Sequence, residues 1–227
     1  MFDIEENLIS GANAWVNEHW LHFFNTKKST LELLEFKLFQ SDYLSTDVDF
    51  APLVAYSQET SKNDTIFREL ERLAIENLLL GTSNLSTIHK TYTQSFIHHF
   101  ITDDIPLTVL MNRETAYTLT HTFFYGSIFD QNLIAIPQAE RKNAKSMEGI
   151  KLAISEAIRS DDVGVLAELL CVVEILKARS SLHEDVIELG FLKMAASQNT
   201  NGSVRSGENG HSDDFPDVYH TTLVLRY

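Results

Sequence analysis

The hydrophobic positions of the chain recur at helical spacing over most of its length and predict an all-α protein. The pattern is clear after Asp64, where apolar side chains from Ile66 to Leu78 form one stripe and charged side chains occupy the opposite face. The same spacing predicts further helices at about 29–39, 89–100, 112–129, 138–159, 163–176, 182–196 and 217–226. No stretch alternates apolar and polar residues over enough positions to predict a β-strand.

The predicted helices of the second half alternate between two kinds. Those at about 138–159 and 182–196 are amphipathic, whereas mainly apolar helices are predicted at about 113–129, 163–177 and 217–226. An apolar helix has to be covered on most sides by other elements. The alternation therefore predicts helical hairpins in which an inner set of apolar helices is enclosed by amphipathic ones. His121, Cys171 and His220 lie on the three apolar segments, 50 and 49 residues apart, which fits one long helical hairpin per repeat.

The junction before the last predicted helix resembles that of a known superfamily. It reads Gln198-Asn199-Thr200-Asn201-Gly202-Ser203, then a loop and Tyr219-His220-Thr221-Thr222-Leu223. This is similar to the outer-helix, Gln-x-x-x-Gly-Ser, inner-helix junction of α/α-toroid proteins, which include terpene cyclases, protein prenyltransferase β subunits and lanthionine cyclases. With Thr120-His121-x-x-x-Tyr125, it most resembles an uncharacterised bacterial branch of that superfamily. The resemblance covers about residues 100–227. It implies an α/α-toroid ring of helical hairpins, short or incomplete. The length of 227 residues favours a single α-helical domain over 1–227.

The resemblance implies that the inner helices converge on a central cavity, where residues about 50 positions apart can meet. Imidazole and thiolate groups are good zinc ligands, and three protein ligands with one open position form the usual catalytic zinc site. His121, Cys171 and His220 are therefore candidate ligands of zinc, the one cofactor that the chain suggests. The alternative is that Cys171 is a small core residue and that the two histidines are hydrogen-bonded side chains in a polar cavity.

Two more residues of the apolar helices are candidates for chemistry. Glu168 lies three positions before Cys171 in an otherwise apolar helix, where a carboxylate needs a partner. It could act as a general base, hold a ligating histidine, or replace Cys171 as a ligand, or instead point past the helix end into solvent. Tyr125 follows His121 by four positions on the same helix face. It could orient the imidazole or donate to a substrate oxygen, or be a packed core residue.

The acidic segment Asp213-Asp214-Phe215-Pro216-Asp217 matches the Asp-Asp-x-x-Asp pattern with which isoprenoid synthases hold Mg²⁺ and a diphosphate. That pattern needs its carboxylates one turn apart on a helix. Pro216 is not tolerated in a helix interior. Acidic residues at the start of the last predicted helix, where the helix dipole favours them, explain the segment better.

Charge and composition exclude some classes of binding partner and predict a cellular location. The chain has 18 Lys and Arg against 32 Asp and Glu, a formal net charge of -14, which argues against nucleic acid or an anionic membrane surface as the main partner. Its single Cys excludes an internal disulfide and suggests a reducing compartment. The acidic N-terminus lacks the positive charge of a signal peptide, and no run of about 18 apolar residues predicts a membrane span. A cytoplasmic location is the expectation.

These features predict a small cytoplasmic enzyme that acts on a peptide or small metabolite in a cavity lined by His121, Glu168, Cys171 and His220. The catalytic candidates are Glu168, Tyr125, His121 and His220, with zinc as the cofactor. A bacterial biosynthetic pathway is implied by fold-level analogy alone. The alternative is a non-catalytic helical module that binds a ligand or another protein. The sequence leaves the substrate, the reaction class and the oligomeric state open.

Overall fold

The computed structural model describes residues 4–12, 14–15, 18, 66–80, 85–127, 143–176, 178, 184–205 and 221–222. Throughout these ranges the protein is all-helical, as predicted. A helical segment over residues 4–12 is followed by α1 (Ile66–Leu80), α2 (Leu85–Tyr92), α3 (Phe96–Thr102), a 3-10 helix (Leu107–Met111), α4 (Arg113–Ser127), α5 (Ala144–Ser160), α6 (Val163–Ile175) and α7 (Glu184–Ala196). The only β pairing in the described ranges is an isolated antiparallel bridge between Gln198 and Val204. None of the described helices combines the length and the apolar character that a membrane span requires.

Side-chain caps fix several of the helix starts. Asp162 accepts a hydrogen bond from the backbone N–H of Val165 and begins α6, and Asn143 does the same for Lys145 at the start of α5. The segment predicted at 89–100 is in fact two helices, because Ser95 accepts from the N–H of His98 and starts a new helix. The predicted helix at 29–39 lies outside the described residues. Of the one at 217–226, only residues 221–222 are described, and they are helical and buried.

Helix α6 is the centre of the core. Every residue of α6 except Glu174 is buried, and the helix contacts α4, α5 and α7. Helix α5 is amphipathic as predicted, and it packs its apolar face on α6, α7 and the 3-10 helix. Helix α4 contacts α1, α2, α3 and the 3-10 helix as well as α6. The predicted enclosure of an apolar helix by its neighbours is therefore present around α6.

Helices α4 and α6 lie side by side and run parallel. At their starts, the Nε of Arg113 is 2.6 Å from Oδ2 of Asp162, a partner 49 positions away. Two turns further along both helices, the hydroxyl of Thr120 is bonded to Glu168, 48 positions away. Because both links have nearly the same offset, the two helices advance in the same direction. Two polar links therefore set the register of α4 against α6.

The segment after α7 makes a tight turn against the N-terminal helical segment. The side-chain amide of Gln198 donates to the carbonyls of Leu8 at 2.9 Å and Gly202 at 3.0 Å. Gly202 has a φ of 89°, and a Cβ placed on it would lie 2.2 Å from the carbonyl oxygen of Gly11. The Gln-x-x-x-Gly-Ser motif is thus a close backbone contact between residues 4–12 and the turn.

Candidate functional site

Glu168 is a carboxylate buried in the middle of the apolar helix α6. Its side chain has almost no exposed surface, so the expected alternative of a solvated residue past the helix end is wrong. The hydroxyl of Thr120 donates to Oε2 of Glu168 at 2.5 Å, and Nδ1 of His121 lies 3.3 Å from the same oxygen. A carboxylate in such a place is costly unless hydrogen bonds or an opposite charge compensate it. Helix α4 supplies that compensation.

The surroundings of His121 determine which of its ring nitrogens carries the proton. Nδ1 is 2.9 Å from the carbonyl oxygen of Tyr117 and 3.3 Å from Glu168. The carbonyl oxygen can only accept, and Oε2 of Glu168 also accepts from Thr120, so a proton on Nδ1 fits both contacts and leaves the lone pair of the neutral ring on Nε2. The carbonyl of Tyr117 is the nearer acceptor, and Glu168 supplies the charge. The side chain of His121 keeps 18% of its surface exposed, which makes it the accessible member of the pair.

Aromatic rings of α4 hold the imidazole of His121 from the same helix. The rings of Tyr117, Phe124 and Tyr125 each have their centroid 5.8 Å from that of His121. These residues lie four before, three after and four after His121, the positions that share a helix face. Packing and the Nδ1 contacts together limit rotation of the ring, as an acid–base residue requires.

Tyr125 has a packing role that the sequence left as one alternative. Its ring contacts His121, which agrees with a role in orienting the imidazole. Its hydroxyl donates to Oε1 of Glu71 on α1 at 2.7 Å, and both side chains are buried. Since that hydroxyl proton is already engaged by a carboxylate, donation to a substrate oxygen does not fit this geometry. Tyr125 is therefore a residue that links α1 to α4 behind the imidazole.

Cys171 lies one turn after Glu168 on α6 and is buried. Burial raises the pKa of its thiol far above the ordinary range, and the carboxylates of Glu168 and Glu174 raise the pKa further. The thiolate that zinc requires is therefore disfavoured in this environment without the metal. In these surroundings Cys171 has the properties of a small core residue.

The remaining candidates fall outside the described part of the chain. His220 and the acidic segment Asp213–Asp217 are among the residues that the structure does not describe. Within the described ranges, no three His, Cys, Asp or Glu side chains are grouped so that they could hold a metal ion. Of the three predicted zinc ligands, the structure describes only His121 and Cys171. Two ligands are too few for a zinc site.

The cluster formed by Thr120, His121 and Glu168 has the groups that proton transfer requires. A neutral imidazole with its lone pair on Nε2 can take a proton from a bound molecule, and the resulting imidazolium then faces Glu168. A buried carboxylate stabilises that charge more strongly than an exposed one, because water does not screen the interaction. This pairing of a histidine with a carboxylate on the far nitrogen orients general bases in several unrelated enzymes.

Residues 30–226 match the sequence model of the family described as "Domain of unknown function (DUF6895)". The chain belongs to this family. Searches of curated proteins and of solved structures found no significant match. The family match spans Thr120, His121 and Glu168, whereas the N-terminal helical segment over residues 4–12 precedes it.

Sequence reasoning missed two contributors to the site. In the sequence motif Thr120 is only the neighbour of His121, although its hydroxyl makes the shortest contact to Glu168. A threonine in a helix usually bonds back to its own backbone, so its type alone carries little signal. Glu71 lies on the charged face that helical periodicity predicts for α1, but it is buried against Tyr125. Its partner is 54 positions away, a separation that helical periodicity does not reveal.

Proposed function

We propose that the chain is an enzyme in which His121 acts as a general acid–base. Glu168 orients its imidazole and stabilises the positive charge of the protonated ring. One observation carries the proposal. A carboxylate with almost no exposed surface, in an apolar helix, lies 3.3 Å from Nδ1 of a histidine that remains partly accessible. A leucine at position 168 would fill the core at less cost, so the carboxylate suggests a role other than stability.

In the proposed mechanism His121 moves the proton and Glu168 does not. Nε2 of His121 takes a proton from the substrate, and the positive charge on the ring is stabilised by Glu168. The hydroxyl of Thr120 donates to Oε2 of Glu168 and holds that oxygen in place. The later step reverses the transfer, as His121 returns the proton to the leaving or product atom.

The substrate class that we propose is a small metabolite or a peptide, in the cytoplasm. The formal net charge of -14 supports a ligand other than nucleic acid or an anionic membrane. The rival proposal is a non-catalytic module in which His121 recognises a ligand without transforming it. The two differ in one observable, because only the enzyme converts what it binds.

Activity profiling with matched variants tests the proposal. The purified protein is incubated with a panel of small metabolites and short peptides, and products are followed by mass spectrometry. We expect turnover by the wild type, at least about a hundredfold slower turnover by His121→Gln and Glu168→Gln, and normal turnover by His89→Gln, which changes an exposed histidine of α2. Binding without conversion by the wild type would instead favour the module, and equal rates in all variants would contradict both roles.

We also propose that the helical hairpins curve into the α/α-toroid arrangement that the sequence resembles. The parallel course of α4 and α6 at an offset of 48 to 49 residues supports it, because a ring of hairpins places its inner helices parallel. The buried helical residues Thr221 and Thr222 support a third inner helix at the next repeat. An experimental structure in which the helix at 217–226 runs antiparallel to α6 would contradict the ring.

Zinc binding by His121, Cys171 and His220 stays a prediction. The histidine–carboxylate contact is also typical of zinc-ligating histidines, whereas the raised pKa of Cys171 opposes the site. Zinc content should be measured in wild type and Cys171→Ser, both purified without a histidine tag. One zinc per chain that is lost in the variant would support the prediction, and substoichiometric zinc in both would contradict it.

A further inference from the structure

Glu71 is a buried carboxylate that the proposed mechanism does not use. It lies on α1 with 4% of its surface exposed. A carboxylate in such a place is costly unless hydrogen bonds or an opposite charge compensate it. Its Oε1 accepts a hydrogen bond of 2.7 Å from the hydroxyl of Tyr125 on α4. Glu71 is therefore bonded to a side chain whose ring packs against the imidazole of His121.

Another buried glutamate of α1 has a different kind of partner. Glu76 accepts from the guanidinium group of Arg72 at 2.7 Å, and Arg72 lies one turn earlier on the same helix. That ion pair compensates charge within α1 and fixes no side chain of a neighbouring helix. The bond of Glu71 instead crosses from α1 to α4, so it sets the position of a side chain of α4.

The ring of Tyr125 is restrained at two places. Its face packs near His121, with 5.8 Å between the ring centroids and 55° between the ring planes. Its hydroxyl, at the far end of the ring, is held by Glu71. A packed ring limits the motion of its neighbour only as far as it is fixed itself, and the hydroxyl bond removes freedom that a phenyl ring in the same place would keep.

We infer that Glu71 is a positioning residue for His121 and that it acts through Tyr125. Glu71 fixes the hydroxyl of Tyr125, and the fixed ring limits rotation of the imidazole. The imidazole thereby keeps Nδ1 on the carbonyl of Tyr117 and on Glu168, and Nε2 keeps one direction. The inference rests on the proposed function, in which Nε2 has to meet a bound molecule. A misplacement of about 1 Å in such a group can cost about a hundredfold in rate.

Hydrogen exchange at the imidazole tests the inference without a substrate. The Nδ1 proton of His121 is followed in proton–nitrogen spectra at neutral pH and is assigned by its loss in His121→Gln. This proton exchanges with water when the ring leaves its acceptors, so the exchange rate reports how firmly the ring is held. We expect the rate to rise at least about tenfold in Tyr125→Phe, which keeps the ring and loses the bond to Glu71.

Three more variants assign the effect to the bond between Glu71 and Tyr125. Glu71→Leu loses the acceptor and should match Tyr125→Phe, whereas Glu71→Gln keeps an oxygen that accepts and should stay within about threefold of the wild-type rate. Tyr117→Phe is the control. The ring of Tyr117 is also 5.8 Å from that of His121, but its hydroxyl is 3.5 Å from Arg113 at an exposed position. This variant should leave the exchange rate unchanged.

The outcomes separate positioning from a structural role. Equal exchange in the wild type and in Tyr125→Phe would overturn the inference, and so would a wild-type Nδ1 proton that exchanges as fast as that of free histidine. Backbone amides of α6 report global opening, and an equal rise in their exchange would make Glu71 a structural residue. Circular dichroism establishes folding, and if Glu71→Leu is not folded, Tyr125→Phe and Tyr117→Phe still decide. The expected rates in a protein without turnover would contradict the proposed function and support the positioning of His121 by Glu71.

Discussion

The turn after α7 and the cluster around Glu168 are both rich in polar side chains, yet the side chains have different roles in the two regions. In the turn they replace backbone partners where the chain leaves a helix, as when Gln198 donates to the carbonyls of Leu8 and Gly202. In the cluster the carboxyl group of Glu168 is buried in the middle of an apolar helix. The turn is thus expected to support stability, while the cluster carries a cost in stability.

Mutations at the two sites can separate these two roles. A change in the turn should lower the free energy of unfolding. A change in the cluster that preserves shape should leave the free energy of unfolding nearly unaltered and abolish the chemistry.

The largest effect is expected from Gly202→Ala. Its Cβ would lie 2.2 Å from the carbonyl oxygen of Gly11, and a φ of 89° strains any residue with a side chain. We expect the free energy of unfolding to fall by roughly 2–4 kcal/mol, measured by urea denaturation. Gly190→Ala, within α7, is the control, since its Cβ would be 3.1 Å from a methyl group of the Leu170 side chain on α6 and would meet no backbone atom that closely. That variant should change stability by less than about 1 kcal/mol, and an equal loss in both variants would contradict the special role of the turn.

A matched pair of polar variants sharpens the contrast. Asn199 accepts from Arg205 at 2.6 Å and donates to Ser203 at 2.9 Å, so Asn199→Ala should lower the free energy of unfolding by about 1–3 kcal/mol. Glu168→Gln keeps the shape of the side chain and an oxygen that accepts from Thr120. This variant should change the free energy of unfolding by less than about 1 kcal/mol. Urea denaturation of both variants under one condition gives the comparison. A loss above about 3 kcal/mol in Glu168→Gln would make Glu168 a structural residue.

Cys171 gives a smaller effect that depends on pH. Its pKa is raised in the folded protein, so the folded thiol stays neutral at a pH where the unfolded thiol ionises. The stability that this contributes is complete below the ordinary thiol pKa of about 8.5 and is lost as pH rises above it. We expect wild type to lose up to about 1.4 kcal/mol per pH unit relative to Cys171→Ala in that range.

Urea denaturation of wild type and Cys171→Ala at pH 7.5 and 9.5 measures this difference. The thiol of the folded wild type should also resist a disulfide reagent at pH 8. Rapid modification at that pH would show an accessible thiolate and would support Cys171 as a metal ligand.

The sequence predicted the elements of the site better than their connections. The sequence predicts an apolar helix over 163–176, and the structure has it over Val163–Ile175, because apolar periodicity is a local signal. The break before Ser95 was missed, since no Gly or Pro lies between Thr93 and Ser95 to mark it.

Contacts between distant residues could not be predicted in the same way. Helical spacing placed Glu168 on an apolar helix, but it gave no sign that Thr120 would be its nearest donor. The contact of Gly11 with Gly202 likewise depends on how two segments far apart in the chain pack. Such pairings are set by tertiary packing, about which a single sequence contains little information.

The tautomer of His121 tests the central claim most directly. Nitrogen-15 correlation spectra of the histidine rings, assigned by comparison with His121→Gln, report which nitrogen is protonated when the ring is neutral. With the carbonyl of Tyr117 at 2.9 Å and Glu168 at 3.3 Å from Nδ1, we predict that the proton is on Nδ1 and the lone pair on Nε2. A neutral ring with its proton on Nε2 would place a lone pair against both oxygens and would contradict the proposed acid–base pair.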